Sequence, residues 1–238
     1  MELFAEVWRR ATGTQAAPSS RVVLATAVVA ALAVLLPRVW PVARHLITLV
    51  HEGSHASVAV LTGRRLAGIR LHSDTSGLTV SVGRPRGPGM VATAAAGYVG
   101  PGILGLGAAW LTSRGHPVGV LWVLLLLLGL MLVQIRNWFG FWSVLVTGSA
   151  LVATTWWAPP GWQSAAAYTI AWFLLLGATR PVLELLGHRS AGSDAALLAR
   201  LTHLPRLVWV LGFGAVTGAT AVVGGSLLGA GVLRGVGG

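Results

Sequence analysis

The 238-residue chain has no cysteine and no lysine, and only six of its residues are acidic. Without cysteine there is no disulfide framework and no thiolate metal site, so any bound metal must be held by His, Asp, Glu or Asn. Charged residues make up 10% of the chain, against about 25% in an ordinary soluble domain. That excludes a soluble globular protein. What fills the sequence is apolar: 55% of residues are hydrophobic and mean hydropathy is +0.75. Several runs approach the roughly 20 residues that cross a bilayer. The expected fold class is an all-α polytopic membrane protein, one helical bundle with no large soluble module.

All 17 basic residues are arginine, giving a net charge of +11. Nucleic-acid binding is set aside, because the arginines fall in short loops between apolar spans, where the positive-inside rule puts them. The lack of lysine fits the codon usage of a GC-rich bacterial genome, so a bacterial cell membrane is the expected location. Seven spans are expected, at about 22–36, 45–61, 90–111, 118–135, 141–157, 162–179 and 207–228. Residues 1–21 read as a cytoplasmic N-terminal segment without the features of a cleaved signal peptide. Residues 22–231 read as a single transmembrane domain, and 232–238 as a Gly-rich tail. With the N-terminus in the cytoplasm, strict alternation puts thirteen arginines on that side and four on the other, which favours this orientation. Residues 66–82 alternate apolar positions around Ser-Asp-Thr-Ser-Gly, a β-hairpin signal. Ser193-Asp194 reads as the N-cap of a short helix over 195–201.

The residues that carry chemistry are His51-Glu52-Gly53-Ser54-His55, an HExxH box inside the second span. Residues four apart share one helix face, so His51 and His55 can hold one Zn²⁺ ion with Glu52 beside them as general base. Three ionisable groups in one turn are costly in a membrane unless they are used. A catalytic zinc site takes three protein ligands, and the candidates for the third are His72, Asp74, Asn137, Glu184, His188, Asp194 and His203. Asp194 is the first choice: it is one of two Asp residues, starts a helix and lies on the expected side. Asp74 sits in the hairpin turn, where Asp is common for turn geometry alone. Asn137 reads either as an interfacial break beside the belt residues Trp138 and Trp142, or as a catalytic amide aimed at a substrate carbonyl or a metal-bound water. His45 faces away from the box. Gly97 and Gly100 to Gly107 read as small-residue helix contacts.

In order along the chain, five stretches resemble the site-2 protease family of intramembrane zinc metalloproteases, in its shorter B-type branch. They are His51 to Ala56, the hairpin from Gly68 to Leu78, Ala96-Gly97-Tyr98-Val99-Gly100, Arg136-Asn137-Trp138-Phe139-Gly140 and Ser193-Asp194-Ala195. The resemblance implies His51, His55 and Asp194 as zinc ligands and Glu52 as the catalytic residue. It also implies a transmembrane or membrane-anchored protein as substrate. Better-known members place an Asn-x-x-Pro motif ahead of Leu-Asp-Gly; here Gly140 stands where Pro would be, and Ala195 follows the Asp. The alternative expectation is a catalytically inactive family member acting as a membrane binding or regulatory protein. The poverty of polar residues in the later spans argues against a transporter. Oligomeric state is not legible from the sequence.

Overall fold

A computed structural model describes residues 1–187 and 192–235. Elements run α1 (Glu2–Thr12), α2 (Ser20–Leu35), α3 (Trp40–Leu61), β1 (Arg65–Leu71), β2 (Gly77–Val82), α4 (Pro88–Ser113), α5 (Pro117–Gln134), α6 (Trp138–Trp157), α7 (Pro160–Gly187), α8 (Asp194–Thr202) and α9 (Arg206–Gly235). The expected hairpin and short helix are both present. His188, one of the third-ligand candidates, and the last three residues of the Gly-rich tail lie outside the described residues.

Among the described residues, five helices are long and apolar enough to cross a membrane: α4, α5, α6, α7 and α9. They match the third to seventh expected spans. The first two expected spans become α2 and α3, which meet the test only as a pair bent by 99°. Alone, α2 is 16 residues long, about 24 Å at 1.5 Å per residue and short of the roughly 30 Å hydrocarbon core. The chain breaks at 36–39, next to Pro37, and Pro41 opens α3. Among the described residues, length and composition support five spans, or six if the bent pair makes one, and do not confirm a seventh.

A shared apolar core ties the spans together at one end. Val23 of α2 packs with Ala108 and Ala109 of α4, Leu121 of α5, Tyr168 and Leu175 of α7, and Leu228 of α9. Two smaller clusters position the other end. Leu49 and Ala56 of α3 pack with Ile69 and Leu71 of β1, Met131 of α5 and Val144 of α6, so the hairpin's inner face is pinned onto three helices. Ala195 and Leu198 of α8 are fully buried among Ala94 of α4, Val182 and Leu185 of α7, and Val210 and Phe213 of α9.

The N-terminal segment and the HExxH box sit at opposite ends of this bundle, which corrects the expectation that they share a side. Gln15 bonds Gln163 and Ser164 at the start of α7, and its amide donates to the carbonyl of Gly115 just past the end of α4. The box shares a cavity with Pro181 near the end of α7. Pro181 lies seventeen positions after Ser164 along α7, about 26 Å of rise, close to a hydrocarbon thickness. The expectation gave α2 and α3 one crossing each, whereas they meet the length and hydropathy test only together, as a bent pair.

Leu198→Ala should remove about 2–5 kcal/mol of packing. The expected result is a lower melting temperature in detergent, with faster amide exchange over 194–202 than over α4.

Candidate metal centre and its surroundings

The box lies mid-helix in α3, so its two imidazoles project on one face. His51 Nε2 and His55 Nε2 are 3.0 Å apart. Asp194 Oδ2 lies 3.2 Å from each of them. Among the described residues these three are the group of acidic and histidine side chains whose donor atoms converge for a metal, all within 4.8 Å of one another. His55 is also fixed from behind: its Nδ1–H donates to the Thr93 carbonyl at 2.6 Å. That bond assigns the tautomer and leaves the Nε2 lone pair facing the group, as metal-binding histidines require. Ser193 caps α8 by accepting from the Ala196 amide, and this cap together with buried Ala195 and Leu198 aims Asp194 at the histidines.

These residues fit a tetrahedral zinc ion. Ligands about 2.0–2.2 Å from one such ion lie roughly 3.3–3.6 Å from each other, near the separations seen. Nitrogen lone pairs and a carboxylate oxygen this close repel one another unless a cation or a shared proton lies among them.

Glu52 sits beside the group and is 4% exposed. Thr79 of β2 donates its hydroxyl to Glu52 Oε2 at 2.6 Å and reaches the Glu52 carbonyl at 3.1 Å. Gly77 of β2 lies flat on the Glu52 side chain, where a methyl would come within 2.5 Å of its carboxyl oxygen. The hairpin thus roofs the carboxylate. A second hydroxyl, Thr48 of α3, donates to the Thr75 carbonyl at 2.9 Å. The cavity beneath holds about 400 Å³ and is walled by α3, β2, Thr93 and Tyr98 of α4, Pro181 and Asp194.

Two glycines of α4 let that helix approach the box. A Cβ on Gly97 would strike His55 Nε2 and come within 2.6 Å of His51 Nε2; one on Gly100 would overlap Ser54. Tyr98 packs edge-on against His51 with ring centroids 5.0 Å apart and stacks on Phe213 of α9 at the same spacing. Sequence reasoning treated Gly97 and Gly100 as generic helix contacts and did not single out Thr79, Thr93 or Tyr98. The Ala-Gly-Tyr-Val-Gly stretch was the available signal, but only the folded chain shows what its glycines face.

The other candidates are placed elsewhere. Asp74 Oδ1 accepts from the Ser76 amide and hydroxyl in the hairpin turn. His72 joins the same turn through Ser76. Glu184 pairs with Arg44 and Arg180 and accepts from the Trp40 indole. His203 closes α8 in a left-handed conformation, φ 60°. His45 lies tilted against Phe139, with ring centroids 5.6 Å apart. Asn137 does not aim at the three donors, as a catalytic amide would. Its Oδ1 accepts from the Leu71 amide at 3.1 Å and its Nδ2 donates to the Leu71 carbonyl at 2.6 Å. The side chain mimics a strand and, with the Arg136 amide donating to the Ile69 carbonyl, occupies the outer edge of β1.

Two variants separate these roles. Gly97→Ala should push the imidazoles apart and cut bound zinc by tenfold or more, read by metal analysis of purified protein. Asn137→Ala should leave zinc content unchanged and raise amide exchange at Leu71, since it removes only a strand partner.

A family model described as Peptidase M50B-like matches residues 24–224. No curated protein and no solved structure matches the chain.

Proposed function

The chain belongs to the M50B-like peptidase family, and on that premise we propose that it is an intramembrane zinc endopeptidase acting on transmembrane or membrane-anchored protein substrates. The observation that carries this reading is the convergence of His51, His55 and Asp194 from two separate elements onto one point, with Glu52 alongside. His51, His55 and Asp194 would hold the ion. When bound, zinc polarises a carbonyl and lowers the pKa of a coordinated water to about 7.

Hydrolysis joins the water oxygen to the peptide carbonyl carbon and breaks the C–N bond. Glu52 accepts a proton from the attacking water and returns it to the departing amide nitrogen. Thr79 orients that carboxylate, and its bond to Oε2 leaves Oε1 for the water. Tyr98 and Thr93 hold the two imidazoles in place from the side of α4.

A helix hides its own peptide bonds, so the substrate must reach the cavity in extended form. The hairpin supplies a template by strand addition. One edge of β1 is taken by Arg136 and Asn137 and the other by β2. The outer edge of β2, which lines the cavity, is the edge left for a substrate strand.

The site-bearing end belongs in the cytoplasm. Arg64, Arg65, Arg70, Arg84, Arg86 and Arg136 lie on or beside the hairpin, whereas the opposite end carries Arg9, Arg10, Arg21 and Arg114. By the positive-inside rule this sets α1 on the far side, the reverse of the orientation expected from the sequence.

Metal analysis and proteolysis of the same preparations test this reading. Wild type should carry one zinc per chain, and His55→Ala and Asp194→Ala should lose most of it. Glu52→Gln should keep the metal while cleavage of a reconstituted membrane-anchored reporter falls by 10²-fold or more. Cleavage that survives Glu52→Gln rules out the assigned base. A zinc-loaded wild type that cleaves nothing points to the family member that binds without cutting.

A further inference from the structure

Helix α1 is held to the bundle in an unusual way. It is eleven residues long and none of them is buried. A free helix of that length is marginal in water, so the contacts it does make must be supplemented by another surface. Its residues divide cleanly at 100° per residue. Val7, Arg10 and Ala11 are half-buried on the bundle side. There the Ala11 carbonyl sits where a side chain on Gly119 would come within 2.8 Å, and the Arg10 guanidinium lies 4.8 Å over the Trp156 ring and donates to its carbonyl. Phe4 and Trp8 form an adjacent stripe, 74% and 63% exposed. Glu2 and Arg9 point away on the remaining side, with Glu6 binding both Arg9 and Arg10.

The position of α1 explains the stripe. It packs where α5 begins and α6 ends, and Gln15, three residues past it, bonds the start of α7, so it lies at the level where these spans leave the hydrocarbon. Trp157 and Trp162, 73% and 72% exposed, stand at that same level, as interfacial aromatics do. A short helix with one apolar stripe, arginines and glutamates opposite, and its third side against span ends has the form of an in-plane interfacial helix. We propose that α1 lies in the headgroup layer of the leaflet opposite the metal-binding group, with Phe4 and Trp8 entering the acyl boundary. The occupant of its open apolar stripe is the lipid surface, continuous with the lipid-facing sides of α5, α6 and α7.

The absence of cysteine makes the test direct, because each introduced thiol is unique. Phe4→Cys, Trp8→Cys, Glu2→Cys and Arg9→Cys are each spin-labelled in the full chain and reconstituted into phosphatidylcholine–phosphatidylglycerol nanodiscs. Relaxation by oxygen, which concentrates in lipid, is compared with relaxation by a water-soluble nickel chelate. Positions 4 and 8 should favour oxygen several-fold, and positions 2 and 9 should favour the chelate. If one variant does not purify as a monodisperse protein, the other member of its pair, 4 or 8 on the stripe and 2 or 9 on the polar side, carries the comparison. Equal access of the chelate to all positions would show α1 standing in water and overturn the proposal. Positions 4 and 8 closed to both reagents would mean a protein, a second copy of the chain included, covers the stripe, and would overturn it equally.

Discussion

Everything at the functional end of this molecule depends on three electron-rich atoms being held about 3 Å apart inside an apolar bundle. Such an arrangement is unfavourable by itself. Uncompensated ionisable groups are expensive in a membrane interior, and lone pairs at that distance repel. The fold brings them together by packing on either side. Ala195 and Leu198 drive α8 into the gap between α4, α7 and α9, and Thr93 fixes the back of His55.

The hairpin is the second device. Its inner face is seated on the cluster of Leu49, Ala56, Met131 and Val144, while Gly77 and Thr79 press on Glu52 from above. Asn137 supports it from the other side by completing the edge of β1. The same small sheet therefore buries the carboxylate, orients it, and offers an open strand edge beside the cavity. Glycine is required at two contact points for one reason: backbone must approach a functional side chain more closely than any Cβ allows. Gly97 does this under the imidazoles and Gly77 over the glutamate.

Much of this was readable in advance. Apolar run length located α4 to α7 and α9, and period-two alternation around a turn cluster located the hairpin. The i, i+4 spacing of His51 and His55 required a shared face once that segment was helical. The Ser-Asp pair announced the start of α8. The exact number of spans was not readable, because α2 and α3 each look like a span by composition while length and the break at 36–39 decide whether they cross singly or as a bent pair. The side on which the N-terminus lies went with it. The role of Asn137 was also beyond reach, since an amide is equally able to face a substrate, a metal-bound water or a strand edge.

What the sequence determined by itself is local and chemical: an apolar helical chain without thiols, carrying two imidazoles and a carboxylate on one turn of helix. Those follow from residue type and helical period, which need no partner. The tertiary structure alone decided which acid among several meets the histidines, which strand covers Glu52, and which glycines must stay bare. Each of these is a contact between segments far apart in the chain, and such contacts are set by how whole faces of α3, α4, α8 and the hairpin pack together, information that no single window of residues contains.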